Sequence, residues 1–149
     1  MAKCNDLNSI IELVKDNEKF LISSHVNPDG DNIGSVVALK IFLEQLGKQV
    51  EAVIDDGVPD CFSFLSYSED IKEYSSELEV DFDLIITLDS GAWKRIGDVA
   101  DLVDDEIVVN IDHHADNTLY GDYNLVTDAA ATAAVVYQLI LNLDKSQLN

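Results

Sequence analysis

Apolar and polar positions change period several times along the chain, and each change marks an element. Asp6 to Asp16 (DLNSIIELVKD) sets Leu7, Ile10, Ile11, Leu13 and Val14 at helical spacing, which predicts an amphipathic helix. Lys19 to His25 (KFLISSH) is a short apolar run and predicts a buried strand. Asp31 to Gly47 (DNIGSVVALKIFLEQLG) returns to helical periodicity, with an acid at its start and a glycine at its stop. Lys48 to Asp55 (KQVEAVID) predicts a second strand. Asp83 to Asp89 (DLIITLD) and Glu106 to Asp112 (EIVVNID) predict two more, each ending on an aspartate. Ala129 to Leu143 predicts a closing helix. Residues 56 to 80 hold Gly57, Pro59 and several serines, and read as short helices and loops.

Strands and helices alternating in this way predict the α/β class: a parallel β-sheet sandwiched by helices on both faces. The strands are near-continuously apolar, as strands buried on both sides must be. There is no internal repeat, linker or low-complexity tract. At 149 residues the chain fits one domain, which at this size buries roughly two thirds of its unfolded surface.

Composition changes this picture in one respect. Asp and Glu total 29 against 9 Lys and Arg, a formal net charge of -20, with a pI near 4.1. A surface of that sign repels nucleic acid at long range, which excludes a non-specific binder of long duplexes. Most of the excess reads as solvated surface, but a few carboxylates gathered around cations would serve a different purpose. No apolar run is long enough to cross a bilayer, and the first residues, MAKCNDLNSI, carry no signal-peptide pattern. The expectation is a soluble, cytoplasmic protein with no membrane partner. Cys4 and Cys61 match no metal or redox spacing and read as ordinary reduced thiols.

The chemistry-bearing residues fall where an open α/β sheet binds ligands, beyond the carboxyl ends of its strands. The first strand runs into His25, Asp29 and Asp31, with Pro28 and Gly30 allowing a tight turn. A later strand ends at Asp89, and another at Asp112, His113 and His114. Each residue alone has a plain explanation. Asp29 and Asp31 suit a helix start, Asp89 a turn or cap, and the histidines a loop. Together they place all three histidines of the chain at predicted strand ends, beside acids. Mixed nitrogen and oxygen donors suit Mn²⁺, Mg²⁺ or Zn²⁺ rather than soft metals. On that basis His113 is a ligand, Asp112 an acceptor that orients an imidazole, and His114 faces substrate. Asp89 is placed to bridge two ions.

These stretches resemble the DHH phosphoesterase superfamily. His25-Val26-Asn27-Pro28-Asp29-Gly30-Asp31-Asn32-Ile33-Gly34-Ser35 is similar to its first motif. Leu88-Asp89-Ser90-Gly91 with Arg95-Ile96-Gly97 is similar to the second, and Asp112-His113-His114-Ala115-Asp116-Asn117 to the third. Asn124 to Tyr137 is similar to the stretch that follows. Within the superfamily the chain looks closest to the oligoribonuclease (nanoRNase) and 3′-phosphoadenosine 5′-phosphate phosphatase branch. The resemblance implies a Rossmann-like three-layer domain and a site for two divalent metal ions, Mn²⁺ with Mg²⁺ as the alternative. It implies one ion on His25, Asp29 and Asp89 and the other on Asp31, Asp89 and His113, with His114 and Asn117 toward substrate and His114 and Asp112 serving catalysis. In such sites, with ions about 3.5–4 Å apart, water is activated for attack on phosphorus. No P-loop, dinucleotide-binding loop or Ser or Cys nucleophile motif is present.

Family members carry a further metal-binding aspartate and then a second, substrate-gripping domain. The expectation is therefore a catalytic domain over 1–149 without either, since Asp128 reads as a helix cap and Asp144 as a solvated helix-end carboxylate. Three functions stay open. One is hydrolysis of short oligonucleotides or nucleotide phosphates. Another is a catalytically silent metal-binding module. The last is the same chemistry on pyrophosphate, polyphosphate or a cyclic dinucleotide. A homodimer stays open as well.

Overall fold

Local signals set the start of each early element. The computed structural model describes residues 5–147, with side chains through 144, so Cys4 lies outside the described residues. Helix α1 (Leu7–Asp16) opens where the Asp6 carboxylate accepts the Ser9 amide proton at 2.8 Å. Its Ile10, Ile11 and Val14 are buried. Strand β1 (Lys19–Ser24) follows, and α2 (Gly30–Gln45) is capped by Asp29, which accepts from the Asn32 amide at 3.0 Å. Gly47, with φ of 85°, turns the chain out of that helix into β2 (Gln49–Ile54), matching the predicted glycine stop.

The remaining strands are β3 (Ile71–Glu73), β4 (Leu84–Leu88), β5 (Ile107–Asp112) and β6 (Tyr123–Val126). Helix α3 (Thr132–Gln147) closes the described chain. All six strands pair in parallel, in the order β3-β2-β1-β4-β5-β6. The chain winds outward from β1 to β3, returns to the centre at β4, and winds outward the other way. The reversal lies between β1 and β4, and the loops leaving their carboxyl ends diverge to open a crevice there.

Both faces of the sheet are buried, as the apolar strands required. Phe20 and Ile22 of β1, Ala52 and Ile54 of β2, and Ile86 and Leu88 of β4 pack with α1, α2 and α3. Leu21, Val53 and Ile85 point the other way, onto Ile96 and Val99. Full burial of each such side chain stabilises the fold by about 1.5–3 kcal/mol. The second face is covered by a 3₁₀ run, Trp93–Leu102, to which the periodicity argument assigned no element.

Two strands lay outside the periodicity argument. β3 is a three-residue strand inside the polar 56–80 stretch, with Lys72 and Glu73 exposed, and β6 holds only four residues. Both are edge strands, so neither needs the long apolar run that marks a central one. Helix α3 starts three residues later than Ala129, at Thr132.

The 3₁₀ run is kinked at Gly97, where φ is 65° and ψ is -143°. A Cβ there would lie 2.6 Å from Asp55 Cγ, and Asp55 Oδ1 accepts the Asp98 amide at 3.0 Å. Gly97→Ala therefore combines a left-handed φ with a collision and should destabilise the fold by about 1–3 kcal/mol in urea unfolding. Gly34 sits in α2 with open space around its missing Cβ. Gly34→Ala should be neutral or stabilise by up to about 1 kcal/mol. Equal effects of the two substitutions would contradict this account of the kink.

Candidate metal centre

Three strand ends deliver the polar residues to one place. β1 runs into His25, which is 8% exposed, and then a turn in which Asn27 adopts a φ of 55° and its amide donates to Asp56 Oδ2 at 2.9 Å. The turn ends at Asp29, the α2 cap. β4 ends at Asp89, whose amide still donates to the Ile111 carbonyl at 3.0 Å. Asp89 then takes a φ of 61°, a left-handed conformation that costs a non-glycine residue of order 1 kcal/mol and is concentrated at functional sites. Its side chain is 3% exposed. β5 ends at the fully buried Asp112, followed by His113 and His114.

The hydrogen bonds of the histidines decide what these residues can do. His25 Nδ1 lies 2.6 Å from the Val26 carbonyl, and His113 Nδ1 lies 3.1 Å from the Ala129 carbonyl. A carbonyl only accepts, so both Nδ1 atoms carry the proton. Each neutral ring then presents a lone pair at Nε2. His25 Nε2 faces Asp89 Oδ2 at 3.4 Å, while His113 Nε2 faces Asp89 Oδ1 at 3.5 Å and Asp31 Oδ2 at 3.7 Å. These are acceptors facing acceptors, and only a cation between them, a proton or a metal ion, makes the contact favourable. Asp89 offers one oxygen to each histidine, as a bridging carboxylate would. Divalent ions at about 2.0–2.2 Å from each ligand bring neighbouring donors to about 3 Å. The residues present supply the oxygen and nitrogen donors that such ions take.

Two groups could each hold a cation: His25, Asp29 and Asp89, and Asp89, Asp112, His113 and His114, with one donor atom of every member within 4.8 Å of the others. The first is the trio expected for one ion. In the second, Asp112 and His114 stand where Asp31 was expected, while Asp31 approaches through His113. Asp31 has a further task. Its Oδ2 accepts the Thr132 amide at 3.0 Å and its Oδ1 the Ala133 amide at 2.8 Å, so it caps α3 from 101 residues away. The positive ends of α2 and α3 thus converge on one carboxylate. Asp128, read as the cap of that helix, lies too far ahead of Thr132 for the task and is exposed. Asp144 is an exposed helix carboxylate, as anticipated.

Asp112 orients its neighbours. Its Oδ1 accepts from His114 Nδ1 at 2.7 Å, which fixes that ring with its proton on Nδ1 and leaves Nε2 for chemistry. Its Oδ2 accepts from Asn117 Nδ2 at 2.7 Å. Asn117 Oδ1 in turn accepts from the Leu119 amide and Asn110 Nδ2. Asn117, expected toward substrate, is engaged within this network. Thr132, which sequence reasoning did not single out, is fully buried, and its hydroxyl lies 3.1 Å from Asp89 Oδ1 and 3.4 Å from Asp112 Oδ1. Only its position at the head of a predicted helix could have drawn attention to it.

The electrostatics follow from these contacts. The His25 pKa is raised, chiefly by its contact with Asp89, against the opposing effect of burial. Burial pushes the Asp89 carboxyl up, but contacts with His25 and Thr132 and the charges of His25 and His114 outweigh it, leaving the net pKa low. Burial lowers the His114 pKa, but its bond to Asp112 together with the charges of Asp112, Asp89 and Asp116 outweighs this and leaves the pKa raised. An open cleft of about 490 Å³ lies against this site, lined by His25, Asp29, Asp89 and His114 together with Lys94 and Arg95.

Known proteins resemble this chain in sequence and in fold. The sequence matches the DHH family, N-terminal domain, over residues 19–149. It is 37% identical over 120 residues to the bifunctional oligoribonuclease and PAP phosphatase NrnA of Thermus thermophilus, covering 80% of this chain and 35% of that protein. It is 27% identical over 128 residues to a probable protein of the same description from Streptococcus mutans, covering 86% of this chain and 40% of that one. The chain thus spans about two fifths or less of the curated relatives it matches. An exopolyphosphatase-related protein from Bacteroides fragilis superposes with a TM-score of 0.82 at 28% identity, over 92% of this chain and 43% of that one. The exonuclease RecJ, solved with manganese, shares the fold at a TM-score of 0.61 and 18% identity, over 97% of this chain and 39% of that one.

The Thr132 hydroxyl ties two carboxylates of the centre together, and loss of such a supporting bond commonly costs 10–100-fold in metal affinity. Thr132→Val should weaken Mn²⁺ binding by about tenfold in calorimetry, whereas Thr132→Ser, which keeps the hydroxyl, should bind nearly as the parent does. Equal affinity of the valine and serine variants would contradict the positioning role.

Proposed function

The chain belongs to the DHH family, and on that premise we propose that it is the metal-dependent core of a phosphoesterase that hydrolyses short oligonucleotides or nucleotide phosphates. The observation that carries this is the pair of histidine lone pairs facing the two oxygens of Asp89. His25, Asp29 and Asp89 would hold one divalent ion, and Asp31, Asp89 and His113 the other; the mixed nitrogen and oxygen donors suit Mn²⁺, Mg²⁺ or Zn²⁺, and among these the family resemblance points to Mn²⁺. When bound, the ions would supply activation of water and stabilisation of the attacking and leaving oxygens.

The chain's own residues do the rest. Asp112 holds the His114 ring through Nδ1, which leaves Nε2 for a phosphate or leaving-group oxygen. Water adds to phosphorus, the ester P–O bond breaks, and the departing oxygen takes a proton. On an oligonucleotide, this releases one nucleoside monophosphate at a time. The NrnA relatives, described as oligoribonucleases and PAP phosphatases, support this substrate class. The likeness to an exopolyphosphatase-related protein supports a second substrate, inorganic polyphosphate, for the same site.

Turnover of 3′-phosphoadenosine 5′-phosphate, a dinucleotide and tripolyphosphate by the Mn²⁺-loaded chain tests both. The expected result is release of product from the first two, falling to background in Asp89→Asn together with Mn²⁺ binding. Unchanged Mn²⁺ binding in Asp89→Asn would overturn the site assignment. Turnover of tripolyphosphate alone would overturn the nucleotide assignment.

A further inference from the structure

Cations are scarce in this chain, and five of the seven whose side chains are described are already paired. Lys15, Lys19, Lys40, Lys48 and Lys72 each face a carboxylate: Glu12, Asp81, Glu44, Glu18 and Glu51 respectively. Among the described residues, Lys94 and Arg95 are the two cationic side chains without an ion pair, and both line the cleft against the metal centre. Asp29 and Asp116 line the same cleft, yet neither pairs with them.

Their backbone is held in place from both sides. The Arg95 amide donates to the Ala92 carbonyl at 3.0 Å, and the Arg95 carbonyl accepts the Val26 amide at 2.8 Å, next to His25. Two residues on, Gly97 takes a positive φ and the Asp98 amide donates to Asp55. The two side chains are exposed, whereas His25, Asp89 and Asp112 are buried. Depth therefore separates two charges. The buried acids and histidines form the floor of the cleft, and the two cations without ion pairs stand at its exposed rim.

We propose that Lys94 and Arg95 form an anion subsite for a second phosphate group, so that the cleft selects ligands carrying a phosphate beyond the one that is cleaved. This rests on the phosphoesterase assignment for the floor of the cleft. In a molecule of net charge -20 an anionic ligand is repelled at long range. Two unpaired cations on a fixed segment reverse that locally, Lys94 as a compact charge and Arg95 through its planar fork of donors. A volume of about 490 Å³ is in the range that accommodates a nucleotide-sized ligand.

Trp93, the single tryptophan of the chain, adjoins the pair and reports binding before turnover in stopped-flow fluorescence. With Mn²⁺ present, the parent chain should bind 3′-phosphoadenosine 5′-phosphate about tenfold or more tightly than adenosine 5′-monophosphate, since a charge-assisted hydrogen bond is worth about 1.5–3 kcal/mol. The double variant Lys94→Gln/Arg95→Gln should bind both ligands alike, at the affinity of the parent for the monophosphate. Its Mn²⁺ affinity and circular dichroism should match those of the parent. A preference retained in the double variant, or lost equally for the monophosphate, would overturn the subsite while leaving the metal centre standing. Failure of the parent chain to bind Mn²⁺ would instead overturn the metal centre, and the subsite with it.

Discussion

A neutral imidazole whose Nδ1 proton is committed to a backbone carbonyl has only a lone pair left to present. His25 and His113 are both in that state, and both present the lone pair to Asp89. The contact is repulsive unless a cation lies between, so the described arrangement is a site with its charge balance built in for a positive guest. The rest of the molecule can be understood as the means of holding two such histidines against one carboxylate. Their Nδ1 partners are main-chain groups, which move only when the fold moves.

The parallel sheet makes this possible by ending its central strands together. β1 and β4 are neighbours at the reversal of strand order, and β5 lies beside β4, so His25, Asp89 and His113 arrive within one crevice although they are scattered along the sequence. Asp89 must leave its strand in a left-handed conformation to turn its carboxylate inward. That strain is sustained by the buried ladder behind it, where Leu88 pairs with Ser24 on one side and Ile111 on the other. The second layer of support is polar. Asp112, Asn117 and Thr132 form a connected set in which each carboxylate oxygen has a donor, so the groups that face the cations do not turn freely.

Much of this was legible in the sequence, for identifiable reasons. Central strands of a parallel sheet must be apolar on both faces, so their ends are marked by the first acids and histidines after each run. That is why His25, Asp89, Asp112 and His113 could be placed before any fold was known. Features that depend on tertiary partners were not legible. The start of α3 is set by Asp31, 101 residues away, whereas the local sequence offers Asp128 as a cap. Thr132 looks like one more small residue in an alanine-rich run, and its importance comes from the two carboxylates that meet it. The edge strands β3 and β6 are short and half-polar because each has only one neighbour. The bonds of Asn117 to Asp112, Asn110 and Leu119 likewise depend on partners that only the fold brings together.

The central claim is that a metal ion stands between each histidine and Asp89. Crystals of the chain grown with Mn²⁺ and recorded at the manganese absorption edge test it most directly. The account predicts two anomalous peaks, one among His25, Asp29 and Asp89 and one beside His113, with Asp89 contacting both. Crystals saturated with Mn²⁺ that show no peak within bonding distance of Asp89 would contradict it.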